Sequence, residues 1–376
     1  MKKVLFVASE CVPFVKTGGL ADVVGSLPKY LDKEQFDVRV MLPKYMMIPD
    51  HFKQNMQYKT HFYMELNWRS QYVGVLESVV DGITFYFIDN EFYFSGMKPY
   101  GNIYEDIEKF TFFSRACLSA LPVIDFRPDI IHCHDWQTGL VPVYLHDSFQ
   151  GGEFFRGIKT IMTIHNLKFQ GVWDKKTIKN ITGLGDYYFA PDKLEAYGDA
   201  NYLKGGIVYA DYVTTVSDSY ANEIRMPFYG EGLDGLMNAK ANRLVGIVNG
   251  IDYNEYNPET DPFIVQHYNA KNFRKEYICR DAVRILPRKM AEQMFILLLA
   301  GTQHNELCIL RTDFLDHIID QVEAFLVGQA RYNTDHKFLI VHLKTTGGLR
   351  DTVQPYNQYE GTGTGFGFCN YNAHEM

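Results

Sequence analysis

Short apolar runs alternate along the chain with stretches of helical periodicity. The run VLFVAS near the amino terminus predicts a buried strand, followed by a glycine loop and a helix from about Leu20 to Leu31. Further strands are predicted at Phe36–Pro43 and at Ile83–Asp89, the second of them after a hairpin-like stretch. The helical pattern of Glu105–Leu121 follows. Apolar runs without polar interruptions are typical of strands buried on both faces.

The same alternation continues to about residue 250. The segments DIIHCHD, KTIMTIH, DYVTTVS and RLVGIVNG predict four more strands, with a helix from about Asp218 between the last two. Strands that alternate with helices indicate a parallel sheet covered by helices on both faces. The first two-thirds of the chain is therefore predicted to be a Rossmann-like α/β domain.

A change of pattern predicts a domain junction. The stretch Asn249–Phe263 is rich in Asn, Asp, Pro and Tyr, which is loop chemistry. We predict one domain over residues 1–255 and a smaller α/β domain over residues 256–376. The second contains the strand-like runs FILLLAG and KFLIVHL, an amphipathic helix at Asp313–Leu326 and a glycine-rich segment.

Composition narrows the function classes. The 376 residues carry a formal net charge of −8, and no Lys/Arg run offers a nucleic-acid surface. The apolar start is too short for a signal peptide, and the most apolar stretch, Met294–Gly301, cannot span a bilayer. The six cysteines show no paired spacing. A cytoplasmic protein with reduced thiols and no membrane contact is expected.

The loop KTGG, formed by Lys16, Thr17, Gly18 and Gly19, lies between the first strand and the first helix. It matches neither the G-x-G-x-x-G fingerprint nor the P-loop, which disfavours NAD enzymes and P-loop NTPases. Glycines, a lysine and a helix amino terminus together suit an anion such as a phosphate. The alternative is a plain turn with a solvated lysine.

Polar side chains also follow two later strands. His132 and His134 could suggest a metal, but a third ligand is lacking nearby, and no metal site is predicted. Asp135 either caps the next helix or faces a ligand. His165 and Asn166 end another strand, where they are either structural or in contact with a ligand, because ligands of α/β folds bind at the carboxyl ends of strands.

Seven segments together resemble bacterial glycogen (starch) synthases of the ADP-glucose type, in that family's order over about Met1 to Lys275. They are KTGGLADVVGSLP, FYFIDNEFYF, HCHDWQTGLVPVYL, TIHNLKFQGVW, VTTVSDSYANEI, GLDGLMN and VGIVNGIDYNEYNP.

The resemblance implies a GT-B fold, in which two Rossmann-like domains face a cleft. It also implies a glycosyltransferase that moves glucose with retention from ADP-glucose to the non-reducing end of an α-1,4-glucan, without cofactor or metal. By the same resemblance, Lys16 contacts the donor diphosphate, Asp22 lies near the donor sugar and acceptor, and His165 lies beside the transferred glucose. The catalytic residues implied are His165 and Asp22, and the other substrate-binding positions are Thr17, Gly18, Gly19, Asp135 and Asn166.

The second domain departs from the family pattern. The segments R-L-x-x-Q-K-G and E-P-C-G, which grip the donor in the family, are absent, and the interval from Lys275 to Thr345 is shorter. The likeness returns at Thr345–Met376, where Gly347 and Gly348 either shape a phosphate-binding helix terminus or form a turn. Two functions follow: an active glucosyltransferase of glycogen synthesis, or a catalytically impaired remnant that binds glucan through its first domain.

Overall fold

The computed structural model describes residues 1–262, 264, 266–272, 339–342 and 367–370, the last two stretches as backbone only. The chain divides into two compact units, Met1–Asp252 and Tyr253–Met376. The residues of the candidate site that the structure describes all belong to the first unit.

The strands of the first unit lie mostly where apolar runs predict them. Their bounds are β1 Lys2–Val7, β2 Phe36–Pro43, β3 Gln57–Leu66, β4 Arg69–Val80, β5 Ile83–Asp89, β6 Ile130–His134, β7 Lys159–Ile164, β8 Val172–Trp173, β9 Glu195–Ala196, β10 Asp199–Asn201, β11 Tyr212–Thr215 and β12 Leu244–Gly246.

Helices connect these strands. Their bounds are α1 Gly19–Tyr30, α2 Asp50–Lys53, α3 Glu91–Phe94, α4 Ile103–Val123, α5 Leu140–Tyr144, α6 Lys175–Thr182, α7 Tyr202–Tyr209, α8 Asp218–Glu223 and α9 Asp234–Ala239, with 3₁₀ turns at Trp136–Thr138 and Asp186–Phe189 and a π-helical turn at Leu145–Phe149.

One nine-stranded sheet forms the centre of the first unit, in the order β12-β11-β7-β6-β1-β2-β5-β4-β3. Every pairing from β12 to β5 is parallel. The centre of the sheet is buried on both faces, since Leu5 and Val7 on one face of β1 and Phe6 on the other are at most 1% exposed. The predicted α/β fold with a parallel sheet is confirmed for this part of the chain.

The sheet is not parallel throughout, and the hairpin-like stretch predicted before Ile83 forms its antiparallel edge. Strands β4 and β3 extend the β5 edge in antiparallel register, and a separate antiparallel sheet has the order β8-β10-β9. Tyr58 and Tyr63 on β3 are exposed, as an edge strand with one solvated face allows.

The longest helix, α4, extends two residues beyond each end of the predicted helical pattern Glu105–Leu121. The Asn102 side chain accepts a hydrogen bond from the Glu105 amide at 3.0 Å and so caps the amino terminus. Phe110, Phe112 and Phe113 are fully buried and pack this helix into the core.

The described part of the second unit contains one antiparallel strand pair. Strand β13, Leu339–His342, lies inside the predicted strand KFLIVHL, and it pairs with β14, Gly367–Asn370. The predicted strand FILLLAG and the predicted helix Asp313–Leu326 lie outside the described residues.

Membrane and thiol predictions can be compared with the described residues. Among these residues no helix has both the length and the apolar character that a bilayer span requires. Cys11, Cys117 and Cys133 are free, buried thiols. Burial raises the pKa of all three thiols, which keeps them protonated and unreactive.

A close contact at Gly25 predicts a stability loss. A Cβ atom built there meets Val12 Cγ2 at 2.3 Å and the Val12 carbonyl oxygen at 2.6 Å, so Gly25→Ala must push α1 away from the segment before the KTGG loop. We expect a loss of about 1–3 kcal/mol in unfolding free energy, as in other overpacked cores. Urea unfolding followed by tryptophan fluorescence measures it, because Trp68, Trp136 and Trp173 all lie in the first unit.

The matched control is Gly235→Ala in helix α9, where no atom of the described residues outside the helix's own backbone lies within 4 Å of the added Cβ. This variant should be as stable as the parent chain or slightly more stable. Equal stability of Gly25→Ala and the parent would show that α1 shifts without cost.

Candidate active site

The candidate site lies at the edge of the sheet where β1, β6 and β7 end. These three strands are neighbours in the order β7-β6-β1 and run parallel, so the residues after Val7, His134 and Ile164 come together at one edge. The chain leaves β1 toward β2 on one side and returns in β6 on the other, which makes this edge a topological switch point of the kind where α/β folds bind ligands.

A buried carboxylate holds the KTGG loop. Glu10 is 4% exposed, and it accepts hydrogen bonds from the Thr17 backbone amide and, at 2.7 Å, from the Thr17 hydroxyl. The Tyr100 hydroxyl donates to the same carboxylate and lies 2.7 Å from the Ser9 hydroxyl. The Glu10 carboxylate therefore holds the loop in place through Thr17.

The glycines of this loop do not serve a left-handed turn. Gly18 has φ −158° and ψ −169°, an extended conformation that any residue adopts. Among the described residues, no atom lies within 4 Å of a Cβ atom added at Gly18. The plain-turn hypothesis does not account for Gly18, whereas close approach of a ligand to the backbone would. Phosphate binding at the loop stays a prediction.

The two charged residues of the segment form an ion pair. The Lys16 Nζ atom lies 2.7 Å from the Asp22 carboxylate, with 40% and 29% of the two side chains exposed. Asp22 stands in the first turn of α1, where a negative charge is favoured by the helix dipole. Both predicted site residues are thus brought together and remain accessible to a ligand.

Asp135 supports the turn that contains His165. Its Oδ1 atom accepts a hydrogen bond from the His165 backbone amide at 2.7 Å, and the Asn166 amide also interacts with the carboxylate. The side chain does not cap the 3₁₀ turn at Trp136–Thr138, so the capping hypothesis is wrong. The carboxylate is directed to the neighbouring strand end instead.

The backbone of Asp135 is strained. Its φ of 56° and ψ of −175° fall in a region that glycine occupies almost alone, at a cost of about 1–3 kcal/mol. Burial raises the pKa of Asp135 to about 7, although the amides of His165 and Asn166 lower it, and the charge of Glu10 raises it further. The influence of Glu10 links the KTGG loop electrostatically to the Asp135–His165 pair.

Three imidazoles line the carboxyl ends of β6 and β7. The rings of His132 and His134 stack at a centroid distance of 4.3 Å, and His134 Nδ1 lies 3.0 Å from His165 Nε2. His132 Nε2 lies 2.6 Å from the Thr163 hydroxyl.

Burial keeps these three rings uncharged. It lowers the pKa of His132 to about 4 and that of His165 to about 3, with His132 adding to the effect on His165. Burial lowers the pKa of His134 well below its usual value, and the neighbouring histidines add to the shift. Near neutral pH the cluster therefore consists of neutral hydrogen-bonding groups.

The two histidines that could suggest a metal, His132 and His134, make separate hydrogen bonds. His132 Nε2 is hydrogen-bonded to the Thr163 hydroxyl, and His134 Nδ1 is hydrogen-bonded to His165 Nε2. In the part of the chain that the structure describes, no group of three or more His, Cys, Asp or Glu side chains could hold a metal ion.

Of the remaining predicted site residues Asn166, Gly347 and Gly348, the structure describes only Asn166. Asn166 accepts a hydrogen bond from the Lys168 amide at 3.0 Å, which folds the turn after His165. Gly347 and Gly348 lie outside the described residues.

Sequence reasoning missed Glu10 and His134 as parts of this site. Glu10 lies three residues after β1, His134 is the last residue of β6, and both are almost completely buried. A polar residue at or shortly after the end of an apolar run was the available signal, but their partners Thr17 and His165 became evident only in the fold.

Comparison with known proteins gives a consistent result. The sequence model of the starch synthase catalytic domain matches residues 3–239. A glycogen synthase of Lachnoclostridium phytofermentans is 57% identical, covering 100% of this chain and 90% of the relative, and one of Lachnospira eligens is 55% identical with the same coverage. The first alignment runs over 434 residues, so the relative carries residues that this 376-residue chain lacks.

A solved structure is similar as well. The catalytic domain of starch synthase IV from Arabidopsis thaliana, bound to ADP and acarbose, superposes with a TM-score of 0.68 at 31% identity. The match covers 75% of this chain and 58% of that one, so this chain spans a little over half the length of the plant protein's chain.

Proposed function

This chain belongs to the starch synthase catalytic-domain family, and on that premise we propose that it is a glucosyltransferase of glycogen synthesis. It takes a sugar nucleotide as donor and an α-glucan as acceptor. The finer proposal is that glucose passes with retention from ADP-glucose to the non-reducing end of an α-1,4-glucan.

One structural observation carries the proposal: a lysine-bearing glycine loop and a buried carboxylate–histidine turn share one edge of the sheet. Glu10 anchors the loop through Thr17, and Asp135 anchors the turn through the His165 amide. A donor that contains both a diphosphate and a sugar requires these two kinds of contact side by side.

The charge of Lys16 suits the leaving group. When the bond between glucose and diphosphate breaks, positive charge develops on the sugar and negative charge on the leaving nucleotide. A fixed ammonium group at the diphosphate stabilises the transition state more than the ground state. We propose this role for Lys16, with Thr17, Gly18 and Gly19 offering backbone contacts to the same group.

His165 suits the sugar rather than the phosphate. Its imidazole is neutral near pH 7 because burial lowers its pKa to about 3, so it offers a hydrogen bond without repelling the positive charge that develops on glucose. The proposal places Asn166 beside it at the sugar and Asp22 between donor and acceptor. Asp135 acts through the backbone of His165 and Asn166.

The adenine base of the donor is proposed from similarity. The plant starch synthase domain, 31% identical, was solved with ADP and acarbose, and the family resemblance of the sequence blocks points to the same nucleotide. Acarbose is a glucan-like oligosaccharide, which agrees with a glucan acceptor.

Incorporation of labelled glucose into glycogen tests the proposal. The full chain is incubated with glycogen and with ADP-glucose or UDP-glucose in parallel arms, with Lys16→Ala as the background control. We expect incorporation from ADP-glucose well above that of Lys16→Ala and little from UDP-glucose. Incorporation no higher than in a protein-free blank, even at high protein concentration, would refute the transferase, and a preference for UDP-glucose would refute the ADP donor alone.

The alternative function, a glucan-binding remnant, is suggested by the sequence segments that depart from the family pattern in residues 275–345. Calorimetry with maltoheptaose separates the two: the remnant binds glucan and transfers no glucose, whereas the transferase does both. The relatives that match the whole chain are glycogen synthases, which favours the transferase.

The Lys16–Asp22 ion pair predicts opposite effects on binding and transfer. In Asp22→Asn, Lys16 loses the carboxylate that lies 2.7 Å from its Nζ atom and that competes with the diphosphate. ADP should therefore bind more tightly, by up to about fivefold, because exposed ion pairs contribute no more than this. Glucose transfer should fall, because Asp22 is proposed to contact the sugar and the acceptor. Calorimetry with ADP and initial rates measure the two effects.

Asp50→Asn is the matched control, since Asp50 is an exposed partner of Lys53 in α2 and the substitution changes the net charge equally. Neither ADP affinity nor transfer should change in this control. Weaker ADP binding by Asp22→Asn would contradict competition between the carboxylate and the diphosphate.

A further inference from the structure

His134 is a buried imidazole that the proposed function leaves without a role. It is fully shielded from solvent, stacks on Phe6 with a centroid distance of 5.4 Å, and contacts His165 through one nitrogen. Its Nδ1 atom lies 3.0 Å from His165 Nε2, and its own Nε2 atom has no hydrogen-bond partner among the described residues.

A hydrogen bond between two neutral imidazoles requires one ring to donate and the other to accept. Burial lowers the pKa of both His134 and His165, so each ring carries one proton near neutral pH. Two assignments are then possible: His134 donates from Nδ1, or His165 donates from Nε2.

The second assignment is the costlier of the two. If His165 donates, His134 must accept at Nδ1 and carry its proton on Nε2, where it would be a fully buried N–H group without an acceptor in the described part of the chain. Orphaned buried N–H groups are rarer in proteins than unused acceptors. If His134 donates, the atom left over is an unused lone pair.

We propose that His134 is a positioning residue, which donates its Nδ1–H to Nε2 of His165 and so fixes the His165 proton on Nδ1. The His165 backbone is held at the same time by Asp135, at 2.7 Å. Backbone position and tautomer of His165 are thus set by two adjacent residues, His134 and Asp135.

The consequence for the reaction rests on the proposed function. Nδ1 of His165 makes no hydrogen bond to the described residues, so a proton fixed there is a donor available to substrate. A sugar hydroxyl then accepts a hydrogen bond from His165 Nδ1–H in every molecule. The other tautomer, which would present a lone pair at Nδ1 and could not donate, is not populated. This makes His134 necessary for glucose transfer although it does not touch glucose.

Nitrogen-15 NMR of the histidines tests the tautomer without using activity. The full chain is labelled at its 12 histidines, and the His165 signals are assigned by their loss in His165→Asn. In neutral imidazole the protonated and bare nitrogens resonate far apart. We expect His165 to be protonated on Nδ1 in the parent chain and in His134→Asn, whose amide N–H replaces Nδ1–H, and to average between tautomers in His134→Phe.

Kinetics provide the second measurement. His134→Phe should lower kcat by about 10- to 100-fold, a part of what the loss of one preorganised donor costs, with KM changed less than kcat. His134→Asn should restore most of the rate. His134→Gln should not restore the rate, because its amide lies near the position of Nε2 and not of Nδ1. Tryptophan fluorescence is used to check that each variant is folded.

Two results would overturn the proposal: a His165 proton on Nε2 in the parent chain, or an unchanged His165 tautomer in folded His134→Phe. If the parent chain transferred no glucose, the proposed function would fail while the NMR result would still decide the role of His134.

Discussion

Replacing Lys16 by alanine is expected to reduce the rate of glucose transfer at least about a hundredfold, because loss of one preorganised electrostatic contact to a developing charge costs on the order of 3 kcal/mol. The reduction should be largest in kcat. A contact that strengthens as the diphosphate leaves contributes more to the transition state than to substrate binding.

The surroundings of Lys16 explain why its loss would not be compensated. Within the described residues the loop presents this one lysine, and its partner Asp22 is an anion that would repel the diphosphate once Lys16 is absent. Folding should be unaffected, since 40% of the Lys16 side chain is exposed and exposed ion pairs contribute little to stability.

Initial rates over a range of ADP-glucose concentrations measure this effect. Lys33→Ala serves as the control, because Lys33 is an exposed lysine of the same unit that lies after α1. Its rate should equal that of the parent. A Lys16→Ala rate within about threefold of the parent, far from the hundredfold expected for a lost transition-state contact, would remove Lys16 from the diphosphate site.

Sequence patterns predicted the central strands because those strands are buried on both faces. The observed bounds of β2 and β5 coincide with the predicted ones, Phe36–Pro43 and Ile83–Asp89. Runs dominated by apolar residues leave little ambiguity in such strands. The short strands β8, β9 and β10 have two or three residues each, too few for any periodicity, and none of them was predicted.

The candidate site was predictable in its residues and not in its connections. Lys16, Asp135 and His165 could be selected because each follows a strand end, and parallel strands bring their ends to one edge. The contacts that hold them join residues far apart in sequence: Tyr100 reaches Glu10 across 90 positions, and His134 reaches His165 across 31. Such contacts depend on strand order, which the apolar pattern does not specify.

The strained backbone of Asp135 was equally invisible in the sequence. The conformation of Asp135, with φ 56°, is held by a tertiary contact, the hydrogen bond from the His165 amide, and not by the preference of an aspartate backbone. Local preference made a helix cap one of the two hypotheses for Asp135, and the long-range contact overrode that preference.

Acidification from pH 7 to pH 5 is expected to cost the first unit about 3–4 kcal/mol of unfolding free energy, the net of a larger loss at its histidine cluster and a gain at Asp135. The folded pKa values of His132 and His165, about 4 and 3, and that of His134 lie below the usual 6.5. Below pH 6.5 the histidines of the unfolded chain therefore bind protons, whereas those of the native cluster do not. Each histidine then loses about 1.4 kcal/mol of stabilisation per pH unit.

Asp135 opposes part of this loss. Its folded pKa of about 7 lies above the usual 3.8, so between pH 7 and pH 4 the native carboxyl binds a proton that the unfolded one releases. Stability rises as pH falls through that window, by about 2–3 kcal/mol between pH 7 and pH 5. Three histidines lose about 6 kcal/mol over the same interval, so the net loss remains.

Urea unfolding at pH 7 and pH 5, followed by the fluorescence of Trp68, Trp136 and Trp173, measures the change in the first unit. His132→Phe should reduce the acid-induced loss by about 2 kcal/mol, because one proton fewer is taken up on unfolding. Asp135→Asn should increase the loss, because the opposing carboxyl is gone. The matched control is the exposed His51, replaced by asparagine, which should leave the acid-induced loss unchanged because this ring lies outside the buried cluster. An acid-induced loss of equal size in His132→Phe and the parent would assign the acid sensitivity to groups other than the buried histidines at the end of β6 and β7.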